Sequence, residues 1–503
     1  MQDLQHRFLA GYSGELSLKG KGTRNRFSER LARNLSDALR SAGIGHRVER
    51  YWSRILVRAE STAALEVLVR VFGVSSVAPV EEHPWHELDD LLATGHRLFE
   101  PAVAGKTFAV RVRRGNEGRR LPFRSPEVER RLGALLAPGA AGVDLREPEV
   151  WVRIELRKDT AYFSSESSEG AGGLPLGSQG RALSLVSGGF DSAVASWLLL
   201  RRGVRLDYLF FNLGGDQHRD GVLEVMKILA DRWSYGDRPT LHLVDFRPVA
   251  DELRDLCPPR LWQVLLKRQM LRASEGLVRR LRLPAMVTGE AVGQVSSQTL
   301  QNLAILAGAT QVPILQPLIA TPKEEITALA RRIGTYETSS RVAEYCALAP
   351  KNPETHASIG RVLEAEERLD PKRLERLLDD RTVLDLRTLE LDRLRAPELE
   401  VDSVPPGATV IDLRSRSAFK SWHLAGAEHH DYRQAITEPE GFDRQRSYVV
   451  YCEVGLKSAH LAEVLRAHGR VAHHLAGGLR TAMKLGEQGD AALAAALSPV
   501  LRD

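Results

Sequence analysis

The sequence predicts a multidomain α/β protein that contains a doubly wound parallel sheet. Three observations predict it. The chain has 503 residues, several times the usual domain length of ~100–200 residues. Apolar strand-like runs alternate with helical stretches between Ala182 and Leu281, the pattern of a sheet with helices on both faces. One of those runs, Ala182 to Val186, leads straight into a Ser- and Gly-rich turn and then a helix. With 43% hydrophobic and 27% charged residues, the composition is that of an ordinary globular protein and excludes wholesale disorder. The longest apolar runs, such as Ala193 to Leu200 and Tyr208 to Phe211, fall far short of the ~18 residues of a membrane helix. Met1 to His6 are polar and no long apolar stretch follows, so the reading is a cytoplasmic protein without a signal peptide.

Four units are expected, at 1–60, 61–167, 175–395 and 402–503. In the first, Phe8 to Tyr12 reads as a short strand and about Arg24 to Ala42 as a basic helix. Arg54 to Ala59 reads as a strand on the alternation of Ile55 and Val57 with Arg54 and Arg58, which Leu56 interrupts. In the second, Thr107 to Val112 and Val150 to Leu156 read as strands, and Ser125 to Leu136 as a helix capped by Ser125 with Pro126 in its first turn. Ser164 to Arg181, rich in Ser and Gly without an apolar period, reads as a linker. The third unit has strands at Ala182 to Val186, Leu206 to Asn212, Thr240 to Asp245 and Ala285 to Gly289. Its helices fall at Ala193 to Arg202, Gly221 to Arg232 and Trp262 to Leu281. Charged Arg361 to Leu399 reads as helical, then extended, and as a linker. Pro405-Pro406-Gly407 opens the last unit, with strands at Thr409 to Leu413 and Tyr448 to Cys452 and a helix from Lys457 to Gly469.

The net charge is only +5, but it is unevenly placed. Lys19 to Arg33 carries six Lys or Arg against one Glu, and Lys106 to Arg131 nine against three. Such runs are either solvated helix faces or contacts to nucleic-acid phosphates. The cysteines, Cys257, Cys346 and Cys452, are far apart and form no Cys-x-x-Cys pair, so neither a disulfide framework nor a structural zinc site is expected. Each is a buried filler or a reactive thiol, as its local context decides. The histidine pairs His429-His430 and His473-His474 lack ligand spacing and read as surface or packing residues.

Ser187-Gly188-Gly189-Phe190-Asp191-Ser192, between a strand and a helix, is built to hold phosphate. Glycines let backbone amides turn toward an anion, and the helix start adds partial positive charge. Asp191 cannot ligate phosphate directly, so it is expected to hold magnesium or to orient the loop. The motif resembles that of the PP-loop ATP pyrophosphatase superfamily. Lys267, Gly289-Glu290 and Gly293 to Gln298 follow in order, the last two groups just after a strand, where open α/β sheets place ligands. Cys452-Glu453-Val454-Gly455-Leu456-Lys457-Ser458 again joins a strand to a helix. A thiol there feels inward-pointing amides and the helix dipole, which stabilise a thiolate or an anionic persulfide. This segment, with Asp412-Leu413-Arg414, His423 to Ala427 and Gly477-Gly478, resembles the rhodanese fold. Lys457 stands where many rhodaneses have Arg, and holds an anion as a point charge rather than a fork.

The order of units, with Gly14 to Gly20, Phe108 to Arg114 and the strand ending at Gly289-Glu290, resembles the tRNA 4-thiouridine synthetase family. That resemblance implies ferredoxin-like and THUMP units that bind tRNA, with Lys19, Lys21, Arg24, Arg113, Arg114, Arg119 and Arg120 meeting phosphates. It implies ATP contacts at Leu185, Val186, Ser187, Gly188, Gly189, Ser192, Lys267, Gly289 and Gln298, with Lys323 a further candidate. Magnesium would come with ATP, Asp191 being its one candidate protein ligand, and no protein cluster for a metal is expected. Cys452 would carry a persulfide loaded by a cysteine desulfurase, cradled by Gly455, Lys457 and Ser458. Cys346 would be the second thiol and Cys257 structural. Two alternatives stay open: sulfur transfer to the terminal carboxylate of a small sulfur-carrier protein for thiazole synthesis, and tRNA binding without catalysis. A homodimer is also left open.

Overall fold

The computed structural model describes residues 4–51, 53–115, 123–157, 159–342, 348, 352–391, 399–424, 426–453 and 456–479. The chain divides into two compact units. The first comprises Met1–Arg181, Leu198–Arg205 and Asp231–Arg238, and the second comprises Ala182–Trp197, Leu206–Ala230 and Pro239–Asp503. Among the described residues no helix is long and apolar enough to cross a membrane.

The first unit holds two sheets. One contains β1 (His6–Tyr12), β2 (His46–Arg50), β3 (Arg54–Ala59) and β4 (Val74–Pro79), and the helix Lys21–Ser41 buries Leu31, Leu35 and Leu39 in its core. The other contains β5 (Glu81–Pro84), β6 (Thr107–Arg114), β7 (Gly142–Val143), β8 (Val150–Leu156) and β9 (Thr160–Ser164), in the order β5-β9-β8-β6-β7. Ile55 and Val57 lie in the core that the Lys21–Ser41 helix shares, while Leu56 packs with Leu9 and Tyr162. Both faces of β3 are therefore covered, which is why its apolar alternation breaks.

Four expectations are corrected here. The first boundary was expected at residue 60, but β4 pairs with β1 (Ala10↔Val77), so the first sheet extends to Pro79. Ser164 to Arg181 is not a plain linker: β10 (Ser168–Glu169) pairs with β4, giving the order β10-β4-β1-β3-β2, and Ala171, Leu174 and Leu176 are buried. Gly170 serves close approach rather than looseness, since a side chain there would run into the Val74 carbonyl. Ser125 does not cap its helix: the cap position is Arg124, and the Ser125 hydroxyl instead accepts from Arg114 Nε at 3.1 Å. Pro126 does stand in the first turn, where a missing N–H costs nothing.

The fourth correction concerns Arg361 to Leu399. The second unit contains a six-stranded sheet of β11 (Arg181–Val186), β12 (Arg205–Asn212), β13 (Thr240–Asp245), β14 (Met286–Val287), β15 (Ile314–Leu315) and β16 (Thr382–Asp385), in the order β15-β14-β11-β12-β13-β16. The pairs β14/β15, β11/β14 and β12/β13 are parallel, and β16 runs antiparallel to β13. The stretch read as a linker thus supplies an edge strand and two helices, Ile359–Glu366 and Arg373–Asp379. Ion pairs accommodate its charge. Glu366, 8% exposed, accepts from Arg268 Nε and Nη2, both at 2.9 Å, and from Arg272 at 2.6 Å, as a buried carboxylate requires.

The same unit ends in a sheet of β17 (Glu400–Val401), β18 (Thr409–Asp412), β19 (Glu428–His429), β20 (Ser447–Tyr451) and β21 (Val471–Leu475), all parallel, in the order β17-β21-β20-β18-β19. Apolar residues alternate between its two faces. Val450 and Ile411 join one core, Val449 and Val410 the other.

Candidate active site and nucleic-acid interface

β11 ends in the predicted phosphate loop. Gly188 has φ +77°, a conformation other residues rarely adopt, and the helix Phe190–Arg201 begins two residues later. Ser192 braces the turn, accepting from the Ser187 amide at 3.2 Å and donating to the Gly189 carbonyl at 3.1 Å. At Gly289, beyond β14, an added Cβ would lie 2.9 Å from the backbone carbonyl carbon of Asp191. Only glycine lets the two segments approach so closely. Asp191 accepts from Lys323 Nζ at 2.8 and 3.0 Å and from Gln294 Nε2 at 2.8 Å, tying three segments together.

Around this loop is a cleft of about 340 Å³. Of the residues expected to contact ATP, Leu185, Val186, Ser187, Gly189, Ser192, Lys267, Gly289 and Gln298 line it, together with Asp191 and Glu290. Lys267 Nζ lies 3.8 Å from Glu290. Thr288 and Gln298 are buried, and among the described residues Thr288 Oγ1 and Gln298 Oε1 have no hydrogen-bond partner. Buried polar atoms of this kind fit a polar ligand such as a nucleotide base or ribose. Among the described residues no group of three or more His, Cys, Asp or Glu is gathered as a metal site.

Phe210, Phe211 and His218 are among the lining residues that escaped sequence reasoning. Phe210 and Phe211 read only as strand interior. His218 reaches the cleft from the helix Gly215–Trp233 and packs edge-on against Phe210 at 5.0 Å. Burial pushes its imidazole down to about 4.

The thiol loop follows β20. Cys452 is 3% exposed, and its Sγ lies 3.5 Å from Ser458 Oγ. Its carbonyl accepts from the Leu479 amide at 3.0 Å. Beside it, buried Tyr451 donates to Asp412 at 2.6 Å, and Arg414 forks onto the same carboxylate at 3.1 and 2.8 Å. That network ties the end of β18 to the end of β20, and so stiffens the strand that presents the thiol. Lys457 is exposed, with its ammonium 5.6 Å from the Tyr432 ring centre. Gly455 and Cys346 lie outside the described residues. Cys257 is buried, and burial pushes its thiol up, which suits a packing role.

In the first unit, Lys19 and Lys21 are exposed where the Lys21–Ser41 helix begins, and Arg24 is half-buried one turn in. Arg113 lines a cavity of about 360 Å³ with Arg111, Arg153 and Trp151. Arg153 stacks over Trp151 at 5.0 Å and Arg111 at 5.8 Å. The pairing Arg111↔Arg153 of β6 and β8 creates this cluster. The Trp151-x-Arg153 alternation, matching Arg111-x-Arg113, was the signal available for it. Arg114 is tied back to Ser125 and to the Phe123 carbonyl. Arg119 and Arg120 lie outside the described residues.

Comparison with known proteins places the chain in a family. Family models match in order: the ThiI ferredoxin-like domain over 8–78, the THUMP domain over 86–166, the thiamine biosynthesis protein (ThiI) over 177–370 and a rhodanese-like domain over 396–482. A tRNA sulfurtransferase of Pyrobaculum aerophilum is 38% identical over 92% of this chain and 95% of the relative. The chain belongs to the tRNA sulfurtransferase family. A second member, from Pseudomonas aeruginosa, is also 38% identical, over 92% of this chain and 95% of its own length. A solved 4-thiouridine synthetase in complex with RNA and bound ATP is 29% identical with a TM-score of 0.66, and covers 75% of this chain and 99% of that one. As a member of the tRNA sulfurtransferase family, the chain carries the expected ferredoxin-like, THUMP, PP-loop and rhodanese-like folds in sequence.

Proposed function

We propose that the chain is an ATP-dependent enzyme that activates a tRNA uridine at O4 and replaces that oxygen with sulfur carried on Cys452, giving 4-thiouridine at position eight of tRNA in the cytoplasm. The observation that carries this reading is the cleft at the end of β11, where a braced phosphate loop meets two buried polar atoms that have no hydrogen-bond partner among the described residues. The solved relative with RNA and bound ATP supports it. In this cleft the amides and hydroxyls of Ser187 to Ser192 hold the triphosphate. Lys267 offsets its charge, and Thr288 and Gln298 meet the nucleoside. Asp191 suits magnesium carried by the phosphates if Lys323 turns from it to a phosphate oxygen.

The uridine O4 bonds to the α-phosphorus as pyrophosphate leaves, and the N3 proton passes to solvent. AMP is then the leaving group on C4. A cysteine desulfurase loads sulfur from free cysteine onto Cys452, and the C4–S bond forms as the bond to AMP breaks. Val342 lines the cleft and Cys346 follows it by four residues in sequence, which supports Cys346 as the second thiol. Cys346 either releases hydrosulfide from the persulfide or attacks the Cys452 sulfur after transfer. Each route closes a Cys346–Cys452 disulfide that a thiol reductant opens. Lys19, Lys21, Arg24, Arg113, Arg114, Arg119 and Arg120, joined by Arg111 and Arg153, position the tRNA through its phosphates. The match to a thiamine biosynthesis model favours a second use of the same persulfide, transfer to a small sulfur-carrier protein.

The test is mass spectrometry of nucleosides from tRNA of a strain lacking 4-thiouridine, complemented with the intact gene or with Cys452→Ser. The modified base should return only with the intact gene. If neither gene restores it, the reading falls.

A further inference from the structure

The carboxyl edge of the six-stranded sheet carries a second feature besides the cleft. β12 ends at Asn212 and β13 at Asp245, and the helices Gly215–Trp233 and Arg247–Leu256 start there. Against the first of those starts, at Gly215, lies the helix Leu456–Ala467, which begins four residues after Cys452. A side chain on Gly215 would run into the Glu463 carboxylate and would lie 3.1 Å from the His460 ring. Gly215 also has φ +77°, so both its backbone and its lack of a side chain suit the approach. Buried His460 lies near enough to His218 and Arg247 to feel their charge, and its Nδ1 is 2.9 Å from the Tyr432 hydroxyl. Glu463 brings negative charge to the positive end of a 19-residue helix. The same helix puts His218 in the nucleotide cleft.

We propose that this contact is a docking surface whose occupant is the chain's own Leu456–Ala467 helix, and that it holds the rhodanese-like domain at the nucleotide cleft for sulfur delivery. The inference rests on the sulfurtransferase reading and adds the surface through which the two half-reactions meet. Neither helix start belongs to the phosphate loop or to the thiol loop. Breaking the contact therefore separates the two chemistries without removing either.

The experiment uses full-length Glu463→Lys, which reverses the charge facing the helix start. Three activities are read: tRNA-dependent pyrophosphate release, persulfide loading of Cys452 by a cysteine desulfurase with free cysteine, and 4-thiouridine formation. Amide hydrogen exchange is followed at residues 215–220. The expected result is a loss of at least tenfold in thiolation, with the first two activities within twofold of wild type and faster exchange at 215–220. Unchanged thiolation with unchanged exchange overturns the proposal. If loading also collapses, the rhodanese-like domain itself is damaged, and Arg247→Glu on the opposite side decides: wild-type thiolation and exchange there overturn docking, and selective loss supports it. Exchange is read without turnover. A wild-type chain that makes no 4-thiouridine would therefore sink the sulfurtransferase reading while protection at 215–220 still reports on docking.

Discussion

Replacing Gly289 by alanine adds one methyl group and should weaken ATP binding at the cleft proposed to hold it. The new Cβ would lie 2.9 Å from the Asp191 carbonyl carbon, 3.0 Å from the Ser192 nitrogen and 3.1 Å from the Asp191 oxygen, all backbone atoms. Carbon contacts settle at ~3.5–4.0 Å, so one of the two segments must move by about half an ångström. Overpacking of this kind costs ~1–3 kcal/mol. The strain falls on the phosphate loop, whose bracing by Ser192 fixes where its amides point. At 1.4 kcal/mol per factor of ten, ATP affinity should fall by ~5- to 140-fold. Titration calorimetry with ATP and magnesium measures this, with Cys452 persulfide loading as the control that the last domain is intact. An ATP Kd within twofold of wild type would refute the argument, because the loop would then be either free to move or not the phosphate site.

Two further outcomes follow from buried charge. Glu366→Gln leaves the Arg268 guanidinium, 1% exposed, without its counter-charge, and should cost about 3–5 kcal/mol in denaturant unfolding of the second unit; a loss below 1 kcal/mol would show that the pair is not buried in solution. Burial holds His460 at about 4, below its ordinary 6.5, with Arg247 and His218 adding to the effect. The fold therefore favours the neutral ring, so its contribution to stability is present above pH 6.5 and is lost as pH falls toward 4, on the order of 3 kcal/mol in all. The unfolding midpoint should drop between pH 7 and 5, and His460→Phe should make that slope shallower, with His218 keeping its own share; a midpoint that is flat in the wild type would contradict the assignment.

Both chemical loops were legible in the sequence because each is a local device. A strand, a few small residues and a helix start suffice to define them, and no distant residue has to be known. His218 was not legible, because it reaches the cleft from 26 residues beyond Ser192 and carries no motif. The glycines between Ser164 and Arg181 misled for a related reason: glycine serves loose chain and tight approach alike, and only the Val74 carbonyl beside Gly170 tells them apart. Arg361 to Leu399 looked too charged to pack, since partners such as Arg268 lie about a hundred residues away. Leu56 broke its strand's alternation because a second layer, unseen in one dimension, covers the outer face.

The return of β10 to β4 has a consequence for how the chain is made. Ser168 pairs with Val77, and the whole sheet from β5 to β9 lies between them in sequence. The THUMP fold is thus an insertion within the ferredoxin-like one. A ribosome releasing the chain from its N-terminus exposes β4 as an open edge for some ninety residues of synthesis, until Ser168 emerges and can close it. The outer sheet is therefore complete only once the inner domain has been synthesised and its end has returned to β4.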